Sequence, residues 1–215
     1  MAFGKRLAAR APLLAKVYAL LLAQVLITAA VVFYLRLHPA VYKAAQRWLL
    51  LWFLLGLGIV IAIGAFPRMP PAAQLALMTA FSVVIGLTLL AASPQVPAGV
   101  IRGALAGVAI VFALMTVLGL GIAAAGVDLG FLYFTLLFAL LALLAGMLLA
   151  GWLFPSQAAF RWMLVAGIVL FSILVAFDTN RMVMDSRAGV VESTLGLYLD
   201  IANLFQQMVG LGGSN

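Results

Sequence analysis

The sequence predicts an all-α membrane protein with seven transmembrane helices. Of the 215 residues, 67% are apolar, which is about 144 residues. That number supports about seven spans of roughly 20 residues each. Charged residues make up only 8%, whereas soluble domains carry about 25%. A water-soluble enzyme and a disordered chain are therefore excluded. The absence of cysteine also excludes disulfide-stapled folds and thiolate zinc sites.

The apolar runs give the positions of the seven spans. We predict them near residues 17–35, 48–66, 72–92, 103–124, 130–152, 162–177 and 194–211. Prolines and charged residues separate the runs, as Pro67 and Pro71 do after the second span. Proline cannot continue a helix and disfavours helix in the residue before it. The seventh segment is shorter and less apolar than the others.

These spans predict one transmembrane domain, residues 17–211, between a basic amino-terminal stretch, residues 1–16, and a short tail, residues 212–215. A secretory signal also places a basic stretch before an apolar run, but its apolar core is usually about 7–15 residues long. Because the first run is longer and more spans follow, we expect a retained signal anchor. A pair of glycines four residues apart, Gly103 and Gly107, predicts close helix packing.

The basic residues predict the orientation and the surroundings of the chain. With the amino terminus in the cytoplasm, seven Lys and Arg residues fall inside and five outside. The net charge of +7 is distributed in small groups between apolar runs. That distribution is typical of membrane flanks beside anionic headgroups rather than of a nucleic-acid groove. We therefore expect a lipid bilayer as partner and no nucleic acid.

No enzyme template is complete in the sequence. The single histidine, His38, lies in a polar connection with no nucleophile beside it, and there is no HExxH motif. Ser82 and Ser172 fall within spans, but neither has a GxSxG-like elbow around it. We therefore expect no catalytic residue and no cofactor, and we interpret His38 as a solvated loop residue.

Two aspartates indicate where function lies. Asp178 ends the predicted sixth span, and Asp200 lies about 9 Å into the seventh at ~1.5 Å per residue. A carboxylate at membrane depth costs a few kcal/mol, so it normally faces a helix-bundle interior, a partner or water. Small and polar residues recur with Asp200 every three or four positions, which places them on one face of a helix. This polar stripe consists of Ser193, Gly196, Asp200, Asn203, Gln207 and Gly210. It either lines a wet path or only holds helices together.

The predicted topology brings three charged groups to one depth. The second span ends at Arg68 and the sixth at Asp178, both in the cytoplasm, where the seventh begins. Two close carboxylates resist double ionisation, so Asp178 and Asp200 can share a proton, and Arg68 can change partners as the pair ionises. The arrangement would be a proton-controlled latch. The alternative is a static ion pair between Asp178 and Arg181, three residues away.

Two sequence runs around these aspartates carry a family resemblance. Residues 176–181, AFDTNR, and residues 197–205, LYLDIANLF, resemble the signature of the transmembrane Bax inhibitor motif family. Residues 127–130 are similar to a loop of that family, and seven spans in 215 residues match the layout of its bacterial members. The resemblance implies a seven-helix fold whose last helix is enclosed by the other six. It also implies a multi-pass protein of the bacterial inner (plasma) membrane.

The resemblance further implies a pH-sensitive calcium leak, gated by an aspartate pair with an arginine as alternative partner. By position, the pair would be Asp178 and Asp200, and the arginine would be Arg68. Some bacterial relatives are instead linked to a membrane protease and lack the acid pair. Its presence here favours ion conduction.

The leading hypothesis is a passive leak for calcium ions under the control of protons. Calcium prefers six to eight oxygen ligands, so Asp178 and Asp200 would hold a partly hydrated ion only transiently, helped by Asn203, Asp185 or Glu192. Transient coordination suits conduction, because the ion must leave again. The alternative is a non-conducting protein that modulates a membrane protease or a stress response through a membrane protein partner. A proton-coupled carrier ranks third, because the sequence shows no solute pocket.

Overall fold

The computed structural model describes residues 2–66, 68–91, 96–153 and 156–213. Within these ranges the chain forms α-helices and one short 3₁₀ helix, and no strand occurs in them. Parts of four predicted features lie outside the described residues: residue 1 of the amino-terminal stretch, Pro67, residue 92 at the end of the third predicted span, and residues 214–215 of the tail. The predicted all-α class is confirmed for the described part of the chain.

The described helices follow the predicted apolar runs. They are α1 (Ala2–Leu37), α2 (Pro39–Arg47), α3 (Leu49–Ala65), α4 (Pro71–Ala91), α5 (Ala98–Ala124), α6 (Tyr133–Leu153), α7 (Gln157–Met184) and α8 (Val190–Gly213). The 3₁₀ helix, Leu129–Leu132, leads directly into α6. Asp128 caps it, since its carboxylate accepts a hydrogen bond from the amide of Gly130 at 2.8 Å.

Five described helical segments are long and apolar enough to cross a membrane, and α2 with α3 makes a sixth if the pair is one span bent by 72°. Their surfaces carry large exposed apolar side chains. On α3, for example, Leu50 is 71% exposed and Phe53 is 62% exposed. Apolar surface on this scale is suited to lipid rather than water. The protein is therefore a multi-pass membrane protein, and the seventh span stays a prediction because α8 is less apolar.

Three helix boundaries differ from the predicted ones. Helix α1 runs unbroken from Ala2, with Pro12 inside it, and so passes through the predicted boundary at residue 16. The polar connection between the first two spans is mostly helical, because Pro39 starts α2 directly after His38. The helix of the sixth predicted span continues beyond Asp178, since α7 runs to Met184. Thr179 and Asn180, which follow Asp178, are fully buried, and Asn180 has hydrogen-bond partners in other elements, so these polar residues do not end the helix.

The chain divides into two compact units. The first contains Met1–Pro12, Val96–Ala188 and Leu199–Asn215, and the second contains Leu13–Gln95 and Gly189–Tyr198. In the first unit, α7 packs against both α5 and α6. In the second unit, α4 packs against α2 and α3. Helix α8 contributes residues to both units.

Helix α8 differs from the other long helices in its burial. Each of the other described long helices has large apolar side chains that are exposed, whereas those described on α8 are buried or half-buried. Leu197 and Leu204 are fully buried. The polar Asp200 and Gln207 are buried as well. The large apolar residues of α8 are therefore shielded from the surroundings together with Asp200 and Gln207.

Of the predicted glycine pair, Gly107 lies in a close helix contact and Gly103 does not. A Cβ on Gly107 would lie 2.8 Å from the sulfur of Met208 on α8, but none of the described atoms would lie within 4 Å of one on Gly103. A close approach between helices occurs instead at Gly119 of α5. A Cβ there would collide with the backbone oxygen of Ala176 on α7 and lie 3.0 Å from Thr179 Cβ.

Candidate functional site

Asn180 fixes the carboxyl-terminal part of α7 to the end of α5 and the loop that follows. Its fully buried side chain accepts a hydrogen bond from the amide of Leu129 at 3.0 Å. Its amide nitrogen donates to the carbonyls of Val127, at 3.0 Å, and Gly119, at 3.5 Å. A buried amide left without partners is costly, so these bonds hold α7 in one register. Asn180 was not among the predicted site residues, although it stands in the run that resembles the family signature.

The two predicted aspartates interact with each other. The charge of Asp178 acts on Asp200, and both residues belong to the first unit. Asp200 is 4% exposed, and its Oδ2 atom has no hydrogen-bond partner among the described residues. Asp178 is half-buried. A buried carboxylate oxygen without a partner is unfavourable, and a proton, an ion or a water molecule would relieve that cost.

Arg68, the predicted alternative partner, lies in the turn between α3 and α4, and its side chain is exposed. With Ala65, Phe66 and Met69 it lines a depression of about 660 Å³. It belongs to the second unit, whereas the aspartates belong to the first. Its partnership with them stays a prediction.

Arg181 forms its ion pair with Asp185 rather than with Asp178. Its Nε atom lies 3.5 Å from Oδ2 of Asp185, four residues later in the chain. Its guanidinium carbon also lies 5.8 Å from the ring centre of Tyr133. The pair is largely exposed and contributes about 0–1 kcal/mol. The charge of Arg181 also acts on Asp178, but the ion pair of Arg181 is with Asp185 and not the predicted one with Asp178.

Asp185 caps the end of α7, and this local role explains its charge state. The amide of Arg187 donates to its carboxylate at 2.8 Å. That hydrogen bond, together with the nearby charges of Arg181 and Arg187, holds the pKa of Asp185 below its usual value. Asp185 therefore stays ionised at neutral pH.

The described contacts of the other two predicted calcium ligands do not involve the aspartate pair. Glu192 lies in the first turn of α8, and its side chain is exposed. The Asn203 amide donates to the carbonyl of Leu199, one turn back on the same helix, at 2.8 Å. No cluster of three or more His, Cys, Asp or Glu side chains that could hold a metal occurs in the described ranges. The aspartate pair would therefore supply few of the ligands of a bound calcium ion.

The carboxyl-terminal part of the polar stripe packs against α7. Gly167 makes room for Gln207, since a Cβ at Gly167 would lie 2.8 Å from Gln207 Cδ. At Gly210, a Cβ would lie 3.1 Å from the side chain of Leu164. The Oε1 atom of Gln207 is buried and has no described hydrogen-bond partner. The stripe thus packs helices together, and it also retains polar atoms that a wet path would use.

A second buried polar network lies in the second unit and was not predicted. The hydroxyls of Tyr198 on α8 and Thr28 on α1 form a hydrogen bond. Thr28 donates to the carbonyl of Ser82 on α4 at 3.0 Å, and Ser82 donates to the Gln24 side chain at 2.6 Å. All four residues are at most 9% exposed. Ser82 therefore has a packing role that explains a hydroxyl within a span.

His38 is exposed, as predicted. Its ring stacks on Tyr34 with centroids 4.1 Å apart, and its Nδ1 lies 2.9 Å from the Tyr34 carbonyl oxygen. These contacts are local, within one turn of helix. They place no nucleophile beside the imidazole.

A protein-family model described as inhibitor of apoptosis-promoting Bax1 matches residues 10–215, which is nearly the whole chain. The matched range contains both sequence runs around the aspartates and the loop at residues 127–130. No curated protein matches the sequence.

Proposed function

Because the chain belongs to the Bax inhibitor motif family of membrane proteins, we propose that it is a pH-sensitive calcium leak channel. The observation that carries this proposal is the interaction of Asp178 with the buried Asp200, whose Oδ2 atom has no described partner. Two carboxylates in a membrane interior resist ionising together, so they can share one proton.

In the proposed latch, the shared proton holds α7 and α8 together at the aspartates. Loss of that proton leaves two negative charges at short range, and their repulsion favours separation of the two carboxyl groups. A cation can then take the place of the proton. Arg68 is the proposed protein-borne cation, and calcium is the proposed mobile one.

The proposal takes α8 as the seventh span, enclosed by the other six. Its support is the burial of the large apolar residues of α8 together with that of Asp200 and Gln207, since a lipid-facing helix would expose apolar side chains. We also place the amino terminus in the cytoplasm and the protein in the inner membrane. In support, Arg10 donates to the carbonyl of Asp185, so the amino-terminal charges share a side with Arg181 and Arg187.

Calcium would pass the aspartate pair without being held tightly. Two aspartates supply too few of the six to eight oxygen ligands that calcium prefers, so water would complete the shell, with help from the Asn203 side chain. Glu192 is exposed in the first turn of α8 and would attract cations, whereas the charge of Asp185 is offset by its ion pair with Arg181. Weak coordination allows the ion to leave again.

The test is calcium flux into proteoliposomes between pH 6 and pH 8, comparing the wild type with Asp200→Asn. We expect a pH-dependent wild-type flux and a mutant flux that has lost its pH dependence. Asp128→Asn is the matched control, because among the described residues the Asp128 carboxylate caps the 3₁₀ helix, and removing its charge should leave the pH profile unchanged. Wild-type flux equal to that of protein-free vesicles at every pH would refute the channel. That result would favour the non-conducting interaction protein, and co-purification of a membrane partner would then test it.

A further inference from the structure

Four arginines converge on the carboxyl end of α7, all within the first unit. Arg6 contacts the sulfur of Met184 at 3.6 Å, and Arg10 donates to the carbonyl of Asp185. Arg181 pairs with the Asp185 carboxylate, and the amide of Arg187 donates to it. We name Arg6, Arg10, Arg181 and Arg187 the arginine cluster.

The arginine cluster carries an excess of positive charge. Asp185 is the acid that the described contacts place among the four arginines, and it is ionised because the Arg187 amide and the neighbouring charges hold its pKa below the usual value. Arg6 and Arg10 meet only a thioether and a carbonyl oxygen in these contacts, and neither group carries a charge. Four guanidinium groups against the single carboxylate in these contacts leave an excess of positive charge. The side chains of Arg6, Arg181 and Arg187 are exposed.

Aromatic side chains mark the same end of the first unit as a membrane interface. The guanidinium of Arg181 lies over the ring of Tyr133, which is 45% exposed. The neighbouring Phe131 and Phe134 are 72% and 66% exposed. Aromatic rings of this kind gather at the level of lipid headgroups. The arginine cluster therefore lies where lipid phosphates are found.

We propose that the arginine cluster binds the phosphate headgroup of an anionic phospholipid. A guanidinium presents two parallel N–H donors to a phosphate, and each basic residue near an anionic surface strengthens attraction by about fivefold. A headgroup on Arg6 and Arg10 would join the amino-terminal end of α1 to the connection between α7 and α8. The site does not depend on calcium conduction, and a lipid on it would stabilise that connection.

The experiment measures lipid affinity of the purified full-length protein by native mass spectrometry, with phosphatidylglycerol and phosphatidylcholine of identical acyl chains. The test variant carries Arg6→Gln, Arg10→Gln and Arg187→Gln. The control variant carries three substitutions of exposed basic residues outside the arginine cluster, Arg36→Gln, Lys43→Gln and Arg102→Gln. We expect phosphatidylglycerol affinity to fall by at least about tenfold in the test variant. The control variant should keep it, and phosphatidylcholine affinity should stay unchanged.

An equal loss of phosphatidylglycerol affinity in the test and control variants would overturn the proposal, because it would mean that the overall charge of the protein attracts the lipid. Stabilisation of the wild type by glycerol phosphate as strong as that by phosphatidylglycerol would also overturn it, in favour of a site for free phosphate. If the test variant does not fold, the wild type is crosslinked with a photoreactive phosphatidylglycerol instead, and the crosslinked residues are identified. Crosslinks to residues 2–12 or 181–188 support the site, and crosslinks confined to other segments refute it.

Discussion

Gly119 of α5 lies against the backbone of Ala176 on α7, so closely that any Cβ would collide with the Ala176 carbonyl oxygen. The carbonyl of the same glycine accepts a hydrogen bond from Asn180 at 3.5 Å. These two contacts lie on either side of Asp178 in the sequence. The position of the predicted latch residue therefore depends on the absence of a side chain at Gly119.

We predict that Gly119→Ala destabilises the protein by about 1–3 kcal/mol, because the added methyl group must push α5 away from α7. Gly121→Ala is the matched control on the same helix, since none of the described atoms would meet its Cβ. It should be neutral or stabilising by up to ~1 kcal/mol, as expected for glycine replaced within a helix. Thermal unfolding in one detergent measures both. Equal stability of the two variants would contradict the close contact.

Asn180→Leu should destabilise the protein by about 1–3 kcal/mol, because it leaves the amide of Leu129 and the carbonyl of Val127 without their side-chain partner. Ser172→Ala is the control, since among the described residues its hydroxyl bonds to the Ile168 carbonyl of its own helix, and removing it should change stability by less than ~0.5 kcal/mol. Hydrogen exchange should speed up at Leu129 in the first variant only. Unchanged exchange at Leu129 would refute the role of Asn180 as a clamp.

Tyr198→Phe should cost about 0.5–1.5 kcal/mol, because it removes the hydroxyl that bonds to Thr28. The edge-to-face contact of its ring with Phe81, at 5.8 Å between centroids, should remain. The double variant Tyr198→Phe, Thr28→Val should lose less stability than the sum of the losses in the two single variants, since both substitutions remove the same hydrogen bond. Strict additivity in chemical unfolding would mean that the two hydroxyls are not coupled.

We expect protonation of Asp185 in acid to lower the stability of the folded protein slightly. Its pKa is lowered in the folded state from an ordinary value of 3.8, first by the Arg187 amide and then by the charges of Arg181 and Arg187. Its contribution is therefore fully present above that ordinary value and is lost as the pH falls through the lower folded-state pKa. Asp185→Asn keeps an acceptor for the Arg187 amide, so it should cost at most about 1 kcal/mol at pH 7.

The measurement is the unfolding temperature of wild type and Asp185→Asn between pH 7 and pH 2. The difference between them should shrink towards the acid end. The same comparison in an Arg181→Gln background should begin with a smaller difference at pH 7. A difference that grows as the pH falls would have the wrong sign and would contradict the assignment.

The buried position of Asp200 could be predicted from the sequence, whereas the contacts that hold α7 in position could not. A carboxylate within an apolar run is unusual whatever surrounds it, so the sequence pattern alone identifies Asp200. The hydrogen-bond partners of Asn180 stand 51 to 61 residues away in the chain. No local pattern identifies such a partner, because helical spacing shows which residues share a face and not which helix that face meets.

The helical membrane class and the approximate positions of the helices were determined by the sequence alone. Any long apolar run in lipid must satisfy its backbone groups internally, and the helix does this with local hydrogen bonds. The tertiary structure alone decided that Gly119 rather than Gly103 lies in a close helix contact, and that α7 extends beyond Asp178. Both depend on which surfaces meet: a polar residue continues a helix when a neighbouring element provides its hydrogen bonds, and a glycine matters only where another backbone approaches it.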